Sequence, residues 1–380
     1  MAHMSVLHES CLVRLCPRHG VKAGKTPMTS TSSELAGLGW NLFFDKQLDQ
    51  HDKSTLVPVR VMAVHRSGLI VEGPGINRLI PPFVSEAEPP DKFATVGDWL
   101  LLDSETLRPQ RLLERNSLFK RWAAGTGRKL QLIAANVDTL FIVTSCNQDF
   151  NIARLERYLA LAREANVVPV IVLTKSDLTD TPEDFLRPAT KLLPGLLVEV
   201  LDARDPNSAA VLAPWCAVGQ TVALVGSSGV GKSTLVNTLI GAERIATQAI
   251  REDDDKGRHT TSARALHRLP AGGWLLDTPG MRELQLTDVR SGLEEVFADI
   301  VELAEACRFA DCRHEAEPGC AILAAIDSGL FDARRVKRWQ TLVAEEARNT
   351  ETLTEHRARD RAFGRLIKRT LKEKRKHERD

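Results

Sequence analysis

Apolar positions along this 380-residue chain change texture several times. Over 34–50, Leu35, Leu38, Leu42, Phe43 and Leu48 recur at a spacing that predicts a short amphipathic helix. From Val57 the runs become short and β-rich: Val57–Val64, Gly68–Val71 and Val96–Leu102, separated by Gly73-Pro74-Gly75 and Pro81-Pro82. About five short strands in roughly 60 residues predict a small β-barrel, and an OB-like barrel is the natural candidate, although periodicity alone does not separate it from an SH3-like one. From 130 to 290, nearly continuous apolar runs alternate with helical patterns. The runs are Val137–Thr144, Val167–Thr174, Leu197–Val200, Thr221–Val225 and Trp274–Leu276, the last leading into Asp277. Helical patterns cover Ile152–Ala165 and begin again at Lys232. That alternation predicts a parallel sheet covered on both faces. Beyond about 290 the pattern is mostly helical, and no internal repeat is visible.

Composition narrows the class. The hydrophobic share of 43% is ordinary for a soluble protein, and a net charge of +1 excludes a uniformly basic nucleic-acid binder and an acidic disordered chain. No apolar run of about 18 residues occurs, so no membrane span is expected. The first 30 residues have neither periodicity nor the features of a signal peptide. Met1-Ala-His-Met4 looks like an added leader and Met28 like a start, so 1–33 reads as a disordered head or non-native extension. The near-neutral total conceals a basic end: from Arg357 to Asp380, eleven Lys and Arg stand against four Asp and Glu. Such a tail fits either a polyanionic partner or a solvated helix. Seven cysteines, mostly far apart, do not form a secreted disulfide framework and point to a cytoplasmic protein.

Candidate chemistry begins at Gly226-Ser227-Ser228-Gly229-Val230-Gly231-Lys232-Ser233, followed by Thr234. It fits G-x-x-x-x-G-K-[ST], with a strand before it and a helix after it. The glycines let backbone N–H groups face phosphates, Lys232 supplies charge to the β- and γ-phosphates, and the Ser233 hydroxyl is a Mg²⁺ ligand. Asp277-Thr278-Pro279-Gly280 follows at a strand end, where Asp277 can hold the metal's water shell and the Gly280 N–H can sense the γ-phosphate. Between them lies Gly257-Arg258-His259-Thr260-Thr261, and either Thr260 or Thr261 can close on Mg²⁺. Thr174-Lys175-Ser176-Asp177 reads as a guanine motif. The Asp177 carboxylate accepts from guanine N1–H and the 2-amino group, whereas adenine offers it a lone pair, a mismatch that costs roughly 2–5 kcal/mol. Thr174 stands where Asn is commoner. The guanine motif precedes the phosphate loop, an order that implies circular permutation. Cys307, Cys312, His314 and Cys320 fall within 14 residues and match a closed structural Zn²⁺ site.

This set resembles the ribosome small-subunit-dependent GTPase A family (RsgA, also called YjeQ). Arg258-His259-Thr260-Thr261, Asp277-Thr278-Pro279-Gly280, the Cys₃His spacing, Ala134-Ala135-Asn136-Val137-Asp138 and Gly97-Asp98-Trp99 carry the likeness over roughly 35–345. The resemblance implies an α/β protein: a circularly permuted P-loop GTPase domain with an N-terminal OB-like β-barrel and a C-terminal, mostly helical zinc-binding domain. The expected divisions are an N-terminal helix over 34–56, the barrel over 57–117, the GTPase domain over 118–290, the zinc domain over 291–345 and a basic helical tail over 346–380. It implies a monomeric partner of GTP or GDP and of the small ribosomal subunit and its rRNA, with slow turnover alone and faster turnover on the ribosome. Leu201-Asp202-Ala203 departs from the Ser-Ala pair often found there. Met281 stands where many GTPases carry a water-orienting glutamine, so His259 is the candidate for that role, the other reading being contact with RNA or solvent. Arg60, Arg66 and Arg78 are candidate phosphate contacts on the barrel. Two other classes compete: a DNA-binding P-loop ATPase with a zinc module, and an RNA-binding scaffold whose nucleotide site switches with little turnover.

Overall fold

The computed structural model describes residues 30–65, 67–83, 93–122, 130–241, 264–277 and 289–350. The phosphate-loop strand lies at the centre of a parallel sheet. Its strands are β8 (Thr139–Ser145), β9 (Val168–Thr174), β10 (Leu197–Val200), β11 (Thr221–Val225) and β13 (Trp274–Asp277). In space they run β10-β9-β8-β11-β13, and β12 (Arg264–Arg268) adds antiparallel to β13. Strands β8, β9 and β10 come earlier in the chain than β11, so the guanine-motif half of the sheet precedes the phosphate-loop half.

Strict alternation along these strands serves two faces. Leu140, Ile142, Ile171, Leu173, Ala223 and Val225 join one apolar cluster, and Phe141, Val143, Val170, Val172, Val222 and Leu224 join another. Helix α4 (Ile152–Glu164) covers the first face through Leu155 and Leu159. The C-terminal helices, Arg290–Val296, Ala298–Ala304, Ala321–Asp327 and Ala333–Thr350, add Leu293, Ile300, Ile322, Val336 and Leu342 to the same cluster, and Phe297 joins them from the junction of the first two. Arg338 clamps the buried Glu156 of α4 at 2.6 and 3.0 Å, fixing the last helix to the sheet layer. That last helix runs uninterrupted through 345/346.

Upstream, β1 (Leu56–His65) pairs antiparallel with β2 (Gly68–Gly73) and β4 (Trp99–Asp103). These carry β3 (Ile76–Ile80) and β5 (Pro109–Leu112) on their outer edges. Val59, Val61, Leu69, Val71, Ile80, Leu100 and Leu102 give this five-stranded unit a core of its own. Among the described residues no pairing joins β3 to β5. The far end of β1 also pairs with β12, through Ala63 with Ala265, so the two sheets are continuous.

Three expectations are corrected. The helix expected over 34–50 is three short helices, Ser30–Gly37, Leu42–Asp45 and Gln50–Thr55. Gly39 at φ 96° ends the first, and the side chains of Asn41 and Asp49 cap the next two, a local competition that a smooth periodicity conceals. A hairpin, β6 (Leu118–Trp122) with β7 (Leu130–Ala135), lies where no strands were expected. Arg60 is not a surface contact: it is 1% exposed. Arg78 is exposed on β3, and Arg66 lies outside the described residues.

Candidate functional site

The carboxyl ends of β9, β10, β11 and β13 meet at one edge of the sheet, where α/β proteins place their ligands. The chain leaves β11 through Gly226, whose φ is 146°. A Cβ there would sit 2.2 Å from the Val143 carbonyl oxygen, so only glycine lets the loop pass β8. Gly229 and Gly231 also take positive φ, 80° and 94°, and curl the loop into helix α7 (Lys232–Ile240). The first N–H groups of that helix have no carbonyl partners within it, and its dipole adds positive potential. Lys232 folds back so that Nζ donates to the Ser227 carbonyl across the loop. Ser228, Ser233 and Thr234 are exposed at the mouth, while Val230 is buried beneath it.

Thr174 ends β9 directly under this loop. Its hydroxyl is fully buried, 2.5 Å from the Val230 carbonyl and 3.1 Å from the Thr144 carbonyl. The hydroxyl thus ties the guanine-motif strand to the phosphate loop without the amide of the commoner Asn. Lys175 adopts a left-handed turn at φ 56°, after which Ser176 and Asp177 begin a short 3₁₀ turn. The Asp177 carboxylate meets Arg204, 2.7 Å away, from the segment after β10.

Asp277 ends β13, which lies parallel and adjacent to β11, so its backbone stands beside the phosphate loop. Gly280, His259, Thr260 and Thr261 lie outside the described residues, as do Thr278, Pro279, Met281, 1–29 and 351–380.

Beneath the edge sits a polar junction that pattern reading missed. Arg60 donates to the carbonyls of Leu38, at 2.6 Å, and Asn136, at 3.1 Å, and to the Thr221 hydroxyl at 2.8 Å. It thereby links the N-terminal strands to the root of the phosphate-loop strand. Burial lowers its guanidinium to about 10, with Asp138 and Asp98 opposing, so it stays cationic at neutral pH. Asp98 is gripped by Arg115 at 2.8 Å through both oxygens. Asn136, itself left-handed at φ 55°, joins the backbones of Gly97 and Asn116. The only available signal was Gly97-Asp98-Trp99 and Ala135-Asn136-Val137 standing among apolar strands.

The Cys₃His set assembles as expected. One ligand atom from each of Cys307, Cys312, His314 and Cys320 lies within 4.8 Å of the others. The Cys307 and Cys320 sulfurs are 3.9 Å apart, and His314 Nδ1 is 3.6 and 3.4 Å from them. A tetrahedron with sulfur bonds of about 2.3 Å has edges of about 3.8 Å, so these donors fit one such ion with Nδ1 turned inward. His314 packs on Trp339 at 5.6 Å, and Glu317 caps the loop by accepting from the N–H groups of Arg313, Glu315 and Ala316. Those bonds hold the Glu317 carboxyl down at about 2. No helix among the described residues is long and apolar enough to cross a membrane.

The family model described as RsgA GTPase matches residues 112–287. The chain is 50% identical over 353 residues to "Small ribosomal subunit biogenesis GTPase RsgA 2" of Vibrio parahaemolyticus, covering 92% of this chain and 96% of that protein. It is 51% identical over 329 residues to "Small ribosomal subunit biogenesis GTPase RsgA" of Mesorhizobium japonicum, covering 85% and 93%. Its fold is similar to YjeQ from Thermotoga maritima, with a TM-score of 0.56, 23% identity and coverage of 76% and 98%. It is also similar to YloQ, described as a circularly permuted GTPase, with a TM-score of 0.54, 23% identity and coverage of 80% and 100%.

Proposed function

Because the chain belongs to the RsgA GTPase family, we propose that it hydrolyses GTP in the biogenesis of the small ribosomal subunit, acting late in its maturation. The observation that carries this reading is the tie between Thr174 and Val230, which holds a guanine motif and a phosphate loop at one sheet edge although they come in reversed chain order. Gly226 to Thr234 cradle the phosphates, with Lys232 compensating charge as it builds on the γ-phosphate. Ser233, with Thr260 or Thr261, would ligate Mg²⁺, which would supply positive charge to the phosphates. Asp277 orients that metal's water shell, and Gly280 senses the γ-phosphate. Thr174 to Asp177 form the base side, with Asp177 selecting guanine.

Met281 follows Gly280 in the sequence, and its thioether cannot direct a water, so turnover without the ribosome is slow. His259 orients the attacking water in the ribosome-bound protein. Replacing His259 by Ala is expected to cut ribosome-stimulated turnover about 100-fold with GDP affinity retained. Unchanged stimulated turnover would remove His259 from the mechanism.

The five N-terminal strands act as an OB-like barrel that, with the helical 291–345 region and the basic end of the chain, grips rRNA through phosphate contacts. Cys307, Cys312, His314 and Cys320 hold one structural Zn²⁺, which stiffens a region with little core of its own. The protein works as a cytoplasmic monomer. GTP turnover with and without purified small subunits tests the whole reading. Stimulation by the subunits is expected, with ATP neither bound nor hydrolysed. Tight nucleotide exchange without turnover in either condition would favour the RNA-binding scaffold instead.

A further inference from the structure

The segment after β10 carries two charged residues to which no role has been given. Arg204 grips Asp202 with two prongs, Nε at 3.1 Å from one oxygen and a terminal nitrogen at 3.0 Å from the other. The same terminal nitrogen lies 2.7 Å from Asp177. The segment is pinned from two sides. The Ser208 hydroxyl accepts from the Asp202 N–H at 2.9 Å, and Thr238 of α7 donates to the Ala203 carbonyl at 2.6 Å. Arg204 is thus held on an anchored loop, in line with the carboxylate that reads the base.

We propose that Arg204, clamped by Asp202, is a positioning residue that fixes the Asp177 carboxylate for guanine and thereby sets base selectivity. The inference rests on the guanine role proposed for Asp177. An ionised carboxylate accepts at roughly four lone-pair sites, so one bond to Arg204 leaves room for guanine N1–H and the exocyclic amine. The terminal torsion of an Asp is broad, and a carboxylate free to rotate must be ordered when nucleotide binds. Arg204 orders it beforehand. Asp202, ionised, cannot donate to Asp177, and the Arg204 guanidinium supplies the donors to both acids. The arm is largely exposed, with 66% of the Arg204 side chain accessible. Solvent therefore leaves it little weight in stability, and its effect is geometric.

Calorimetry on the full chain separates this from a structural role, using GDP, IDP (which lacks the 2-amino group) and ADP. Arg204→Ala is expected to weaken GDP about tenfold and IDP, which keeps N1–H, by about threefold, so the preference for GDP over IDP narrows. Asp202→Ala should reproduce much of that loss, and the double variant should be no worse than Arg204→Ala. Arg204→Lys should recover part of the preference. An unchanged ratio of GDP to IDP affinity in Arg204→Ala overturns the proposal. Tighter GDP binding also overturns it, because the arm would then be a plug to be expelled. If the unaltered protein does not prefer GDP to ADP, the guanine reading itself fails, which is a different result from the preceding two.

Discussion

At the scale of single residues, Thr174 shows how a small side chain joins two motifs separated in sequence. Its hydroxyl sits against the Val230 and Thr144 carbonyls with no solvent access. Thr174→Val keeps the shape and removes the donor, leaving a buried carbonyl without its partner. The expected cost is about 1–3 kcal/mol in urea unfolding, with weaker GDP binding because the loop loses its tether. A variant as stable and as tight as the parent would show that β9 packing alone holds the loop. Arg60 and Arg204 were illegible in the sequence for one reason. An arginine on an alternating strand or in a turn is read as solvated, and only the tertiary arrangement brings carbonyls around Arg60 and the Asp177 carboxylate to Arg204.

Elements differ in how plainly the sequence announces them. The central strands were legible because burial on both faces leaves an apolar run that little else resembles, and Thr221–Val225 stands where expected; Leu197–Val200 also stands where expected, although it is an edge strand with no fully buried residue. The β6–β7 hairpin was not legible, since its residues Lys120, Arg121 and Gln131 mix with apolar ones at no clean period. The Cys₃His loop was legible from spacing alone, because its chemistry is local. The described cysteines outside that loop, Cys146 and Cys216, are buried in the two apolar clusters of the sheet and take no part in the metal-binding set. Burial pushes the Cys146 thiol up to about 11 and the Cys216 thiol up to about 12. A raised value means a protonated, unreactive thiol at pH 8, with thiolate rising tenfold per pH step until that value is reached. Iodoacetamide at pH 8 should therefore leave Cys146 and Cys216 unmodified in the folded protein. Chelation should expose Cys307, Cys312 and Cys320 to modification, read by peptide mass mapping. Modification of Cys146 as fast as Cys307 would mean that β8 opens readily.

Across the whole molecule, the N-terminal strands and the GTPase sheet are not independent bodies joined by a linker. Leu38, Phe44, Met62, Val96, Trp99, Leu101 and Leu113 belong to the same apolar cluster as Leu140, Ile142 and Leu159. Strand β1 covers part of the β12 edge through Ala63 and Val64, and Arg60, earlier on β1, reaches Thr221. Cutting at 117/118, the expected boundary between barrel and GTPase domain, would strip those seven side chains from the cluster. At about 1.5–3 kcal/mol each, their loss removes of order 10 kcal/mol, comparable to the entire stability of a domain. The carbonyl of Asn136 and the hydroxyl of Thr221 would lose Arg60, and the β12 edge would be bared to intermolecular pairing. A fragment of residues 118–350 is therefore expected to aggregate or to melt without a cooperative transition, whereas 30–350 should unfold in one step. Hydrogen exchange on 30–350 should protect β1 and β11 amides to the same free energy, because opening either breaks the junction. If the short fragment instead melts cooperatively and binds GDP like the full chain, the junction transmits nothing to the phosphate loop. Docking of the N-terminal strands on RNA could then not be felt at the nucleotide through Arg60.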